Sequence, residues 1–181
     1  MTLIRAPFSN PEVLEKLRPA YEAQRSLLLP GGCDPSAAPA KVRFSKMTLA
    51  TRGRYQFADL RDRAISRELL EFAQVLAGRK LAPHALRLLR FRHRGYALFY
   101  DDALTRVEAG VEVTLDVSSQ MRGTPAVYQT NSTDRLEVPQ VPGLVAVVER
   151  HPGMYRYDRY LPAAVGDAEV LRLRAAFRFA D

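Results

Sequence analysis

The strongest constraint on this chain is an alternation of apolar and polar residues over positions 107–118. Val107, Ala109, Val111, Val113, Leu115 and Val117 fall on one face, and Glu108, Gly110, Glu112, Thr114, Asp116 and Ser118 on the other. A period of two fits an extended strand and no helix, so the segment predicts a half-buried β-strand. It does not stand alone. Residues 85–92, 96–101, 126–130, 135–138, 144–149, 155–161 and 170–179 read as further strands. Turn signals separate them at Gly95, Arg122-Gly123-Thr124-Pro125, Asn131-Ser132-Thr133-Asp134, Pro142-Gly143 and Pro152-Gly153. No helical period interrupts the series, which argues for an antiparallel sandwich or barrel.

The N-terminal half has a different period. Ser9-Asn10-Pro11-Glu12 offers a Ser-x-x-Glu capping box and a proline in the first turn, predicting a helix over 11–28 that Pro19 kinks or divides. Residues 30–39, rich in Pro, Gly and Ala, read as a loop. A second helix is expected over 66–77, capped by Ser66 and stopped at Gly78, because Leu69, Phe72, Ala73 and Leu76 recur at helical spacing. The whole reads as one α+β domain over 1–181. Residues 1–84 form a helical layer and loop, and residues 85–181 form a β-sandwich core with the second helix over one outer face.

Charge narrows the partners. The net +7 comes from the N-terminal half: residues 1–90 hold 16 basic and 8 acidic side chains, and residues 91–181 hold 11 and 12. A solvated basic face explains this better than a nucleic-acid surface, and a homo-oligomer stays open. The apolar runs are too short for a membrane span, and the N-terminus has no leader-like stretch. A single cysteine, Cys33, in a loop without a basic or histidine neighbour, is expected to be an unreactive free thiol. These features together predict a soluble cytoplasmic protein.

The strand order resembles the 2-oxoglutarate/iron(II) oxygenases, in particular their prolyl-hydroxylase-like branch, over about residues 85–179. Gly95-Tyr96-Ala97-Leu98-Phe99-Tyr100-Asp101-Asp102 resembles the family's Gly-aromatic-x-Leu-x-x-His-x-Asp strand, with Asp102 at the aspartate and Tyr100 at the histidine. Gly123-Thr124-Pro125-Ala126-Val127-Tyr128 is similar to its Gly-Gly-Glu-Leu turn and strand. The segment from Val138-Pro139 through Pro142-Gly143-Leu144-Val145 is similar to its x-Pro-x-x-Gly-x-Leu-Val motif. Counting back four residues from Pro162, where the second histidine belongs, reaches Asp158. The resemblance implies a double-stranded β-helix, or jelly roll, that lacks the family's metal-binding histidines.

The resemblance also implies a central cavity, and strand alternation assigns its walls. Tyr100 and Asp102 share a face, and Asp158 and Tyr160 share another on the aromatic segment 154–161. In the last strand Leu171, Leu173, Ala175, Phe177 and Phe179 oppose Arg172, Arg174, Ala176 and Arg178, so the arginine face should turn inward if the apolar face meets the helices. Tyr100, Asp102, Tyr128, Asp158, Tyr160, Arg172 and Arg174 are therefore the candidate ligand-binding residues. No catalytic residue is assigned. No cofactor and no metal is expected, and an acidic or polar small molecule is the expected ligand, with arginine replacing the metal as the positive centre. The alternatives are a genuine oxygenase using iron(II) and 2-oxoglutarate with Asp102 and Asp158 as atypical ligands, and a structural or partner-binding module.

Overall fold

The computed structural model describes residues 2–39, 42–45, 53–98, 109–120, 123–130, 133–162, 167 and 169–180. The first helix, α1 (Pro11–Gln24), starts where Asn10 accepts a hydrogen bond from the Glu12 N–H, with Pro11 in the first turn where its missing N–H costs nothing. It runs through Pro19 unbroken and ends four residues earlier than the expected 28, at Arg25 in the left-handed conformation (φ 53°). The next residues form β1 (Ser26–Leu29), which pairs antiparallel with β9. Edge pairing wins these leucines from the helix.

Two more strands of the N-terminal half, β2 (Gly53–Arg54) and β3 (Gln56–Asp59), were not expected there. They are short and carry little alternation. The second helix, α2 (Arg63–Ala77), is capped by Asp62 rather than Ser66, since the Asp62 carboxylate accepts from the N–H groups of Ala64 and Ile65. Its stop is the expected one, with Gly78 at φ 62° and its N–H donating to the Gln74 carbonyl.

The remaining strands are β4 (Leu81–Phe91), β5 (Tyr96–Ala97), β6 (Gly110–Asp116), β7 (Ala126–Gln129), β8 (Arg135–Val138), β9 (Val145–Arg150), β10 (Tyr155–Asp158) and β11 (Val170–Phe179). Among the described residues they complete two antiparallel sheets, a larger one ordered β1-β9-β6-β11-β4-β3 and a smaller one ordered β2-β5-β10-β7-β8. From β4 onward the chain crosses repeatedly between sheets, so that β4, β6, β9 and β11 face β5, β7, β8 and β10. This is the double-stranded β-helix. No described helix is long and apolar enough to cross a membrane.

The larger sheet is buried on both faces. Leu86, Leu88, Val111, Val113, Leu115, Val145, Val147, Leu173, Ala175 and Phe177 point to the helices and pack with Leu69, Phe72, Ala73 and Leu76 of α2. The expectation of a half-buried β6 is therefore corrected: all seven of its residues are buried. Its polar face lies against the smaller sheet, where neighbouring side chains replace water as partners.

Candidate functional site

The interior between the sheets receives the polar faces of the central strands. Ten polar or charged residues are buried here and around it: Glu112, Thr114, Asp116, Ser118, Gln140, Arg150, Arg156, Asp158, Arg172 and Arg174. Their placement follows from register. Across the β6–β11 pair Arg174 stands opposite Thr114, and Glu112 stands opposite the small Ala176, so the guanidinium reaches one diagonal step to the carboxylate. On the other side of β6, Glu112 faces Val148, one step from Arg150. From the smaller sheet Arg156 and Tyr128 are direct partners across β10 and β7, and both point inward.

Glu112 is the centre of this interior. Arg174 meets it as a fork, Nε to Oε1 at 3.0 Å and Nη2 to Oε2 at 2.9 Å. Arg150 Nη1 donates to Oε2 at 2.7 Å, and the Tyr128 hydroxyl donates to Oε1 at 2.5 Å. Arg156 Nε lies 3.3 Å from Oε1. Burial by itself would raise the Glu112 pKa, but Arg174, Arg150 and Arg156 together outweigh it and hold the carboxyl well below its ordinary range. Burial, then Glu112, push the Tyr128 phenol upward, so it stays a donor.

Asp158 forms a second centre beside the first. Arg156 binds it through two hydrogen bonds, Nη1 to Oδ2 at 2.7 Å and Nη2 to Oδ1 at 3.2 Å, and Arg172 Nη1 pairs with Oδ1. Arg172 also donates to the Thr124 carbonyl at 2.6 Å. A third carboxylate, Asp116, accepts from Gln140 Nε2 at 2.9 Å and from the Ser118 N–H at 3.0 Å. Burial and then the neighbouring Arg156 push the Arg172 pKa down to about 10. Next to Arg172, a cavity of about 10 Å³ is lined by Phe91, Thr124, Asp158, Arg159, Leu161 and Val170.

The structure thus brings together four of the seven sequence candidates, Tyr128, Asp158, Arg172 and Arg174. Tyr160 is corrected: it is 50% exposed and packs on Tyr96 with ring centroids 6.4 Å apart. The reason is that β10 ends at Asp158. Beyond it Leu161, whose N–H donates to the Gly95 carbonyl, takes the inward position. Tyr100 and Asp102 lie outside the described residues. The sequence reading missed Glu112, Arg150 and Arg156 as members of the site. The available signal was a glutamate on the polar face of the most regular strand, which was read as half-buried. Cys33 is also corrected from a flexible loop to a wholly buried thiol, with Sγ donating to the Asp116 and Leu144 carbonyls at 3.7 and 3.8 Å.

The described part of this interior is lined by guanidinium groups rather than by a set of metal ligands. Among the described residues no group of three His, Cys, Asp or Glu side chains is placed to hold a metal. His151 is exposed, with Nε2 3.3 Å from Thr130 Oγ1. Asp158 is already enclosed by two guanidinium groups, whose charge would repel iron(II).

No family model and no curated protein matches the sequence. Solved structures do match the fold. A 2OG-Fe(II) oxygenase family oxidoreductase from Burkholderia pseudomallei superposes with a TM-score of 0.66 at 11% identity, covering 91% of this chain and 90% of that one. A prolyl hydroxylase from Trichoplax adhaerens, solved with a hypoxia inducible factor peptide, gives 0.66 at 11%, covering 94% and 90%. The non-heme alpha-ketoglutarate-dependent epimerase SnoN of nogalamycin biosynthesis gives 0.65 at 14%, covering 94% and 85%. The chain therefore has the double-stranded β-helix fold of the 2-oxoglutarate/iron(II) oxygenases. A likeness at this identity concerns the fold; chemistry must be argued from the site.

Proposed function

We propose that this protein is an oxygenase-fold binding protein that works without iron, and that it recognises a small acidic ligand at the Arg172–Asp158 end of the sandwich interior. The observation that carries this reading is the charge of the interior. Among the described residues four arginines, Arg150, Arg156, Arg172 and Arg174, are buried with three carboxylates, Glu112, Asp116 and Asp158. The difference is one positive charge. Arg172, whose pKa is lowered by burial and then by the neighbouring Arg156, borders the small cavity beside Phe91 and Leu161. A planar guanidinium is a natural partner for a carboxylate or phosphate. Because the cavity is about 10 Å³, the size of a single water, a ligand would enter by displacing the segment around Thr124 and Leu161.

Two measurements test the reading. Anaerobic titration with iron(II) and 2-oxoglutarate should give no charge-transfer band and no stoichiometric iron. A band with one iron per chain would establish the genuine-oxygenase alternative instead. Thermal melting against mono- and dicarboxylates and phosphate should reveal a stabilising anion in the wild type whose effect is lost in Arg172→Met. Absence of any shift across the panel would leave the structural or partner-binding role.

A further inference from the structure

Two of the donors around Glu112, Arg156 and Arg150, are also held by other parts of the protein. Arg156 is fixed by its two-point contact with Asp158, at 2.7 and 3.2 Å. Arg150 donates from Nη2 to the Met154 carbonyl at 3.0 Å. The guanidinium carbons of Arg150 and Arg156 each lie 5.6 Å from the Tyr128 ring centroid, so the phenol is flanked by both. Arg156 Nε also reaches the Tyr128 hydroxyl oxygen at 3.2 Å. Four strands from both sheets, β7, β9, β10 and β11, supply these groups, and β6 supplies only the carboxylate and Thr114, whose Oγ1 lies 3.4 Å from Glu112 Oε1.

We infer that the sandwich interior contains a preorganised receptor for a small monocarboxylate, formed by Arg150, Arg156, Arg174 and Tyr128, and that Glu112 is its tethered occupant. The inference does not rest on the acidic-ligand reading, which concerns Arg172. Both carboxylate oxygens are met: Oε1 by Tyr128, Arg174 and Arg156, and Oε2 by Arg150 and Arg174. Such convergence of charged donors on one buried anion is the arrangement by which proteins bind free carboxylates. The tether is short. Replacing Glu112 by alanine deletes a CH2–COO⁻ group, and the space left matches acetate, with the small Ala176 as the cross-strand neighbour.

The test is chemical rescue of Glu112→Ala. In chloride buffer the variant should melt well below the wild type, because three guanidinium groups lose their shared anion. Acetate or formate at equal ionic strength should raise its melting temperature in proportion to the logarithm of its concentration above the dissociation constant, by roughly 3 to 5 °C at ten times that constant. Propionate and 2-oxoglutarate, too long for the space, should act no better than chloride. Glu112→Gln, which fills the space, and the double variant Glu112→Ala/Arg174→Met should not respond to acetate. If Glu112→Ala does not fold in chloride, recovery from urea in acetate supports the receptor, and recovery in neither salt overturns it. Equal melting of folded Glu112→Ala in acetate and chloride would also overturn it.

Discussion

The two buried acid–base groups with the clearest individual environments, Cys33 and Glu112, make opposite predictions. Burial, then Asp116 and Asp34, push the Cys33 thiol up to about 12, so at pH 8 it is protonated as well as enclosed. The native protein should release almost no chromophore from a disulfide reagent over the period in which urea-unfolded protein releases that of its one thiol. Rapid reaction of native protein would show that the segment around Ile4 and Cys33, which forms a bridge, opens readily. Glu112 is held below its ordinary range, so in acid the unfolded chain takes up its proton first. Stability from Glu112 is thus present above about pH 4.5 and is lost as pH falls from there toward its folded value. Glu112→Gln should be less stable than wild type at pH 7, with the gap narrowing between about pH 5 and pH 2 in urea titrations. A constant gap would remove this carboxylate from the acid response.

At the scale of elements, β6 and α2 hold the larger sheet in register. Gly110 opens β6 opposite Arg178 of β11, and a Cβ added there would lie 1.9 Å from the Phe177 carbonyl oxygen. That neighbour is backbone and cannot turn aside. Gly110→Ala should cost at least about 1 to 3 kcal/mol, the range for overpacking, and unchanged urea stability would contradict the close β6–β11 approach. On the opposite side of the sheet Leu76 of α2 is fully buried among core residues. Leu76→Ala should cost about 2 to 5 kcal/mol in the same measurement. The helix was legible because its apolar stripe meets a continuous apolar sheet face. Its cap was misread because Asp62 and Ser66 are both good caps, and the preceding chain direction, absent from local sequence, selects Asp62.

In the whole molecule the ion network joins the two layers. Asp158 and Arg156 belong to the smaller sheet, and Arg172, Arg174, Arg150 and Glu112 to the larger. Asp158→Ala should destabilise the protein by about 3 to 5 kcal/mol, since it leaves Arg172 buried without its carboxylate. A double-mutant cycle of Asp158→Ala with Arg172→Met should return a coupling of about 0.5 to 3 kcal/mol. Additivity would mean that the Asp158–Arg172 pair does not contribute to joining the sheets. Those contacts are divided, with Tyr55, Leu89 and Phe91 at one part of the interior and Ala126, Tyr128 and Val138 at another. The polar network occupies an interior in which apolar packing is not continuous.

Apolar periodicity by itself, of two in the strands and helical over 66–77, determined the antiparallel sandwich, the helix over one face and the inward turn of Arg172 and Arg174, because such periods are local properties and a core must take the apolar side. The strand order carried the resemblance to the oxygenase fold. Only the tertiary structure decided that the polar side of β6 is buried, that Glu112 and Arg150 meet Arg174, and that Tyr160 leaves the site once β10 ends at Asp158. Alternation states which residues share a face, whereas the environment of that face depends on the strand that crosses it, a partner tens of residues away in the chain.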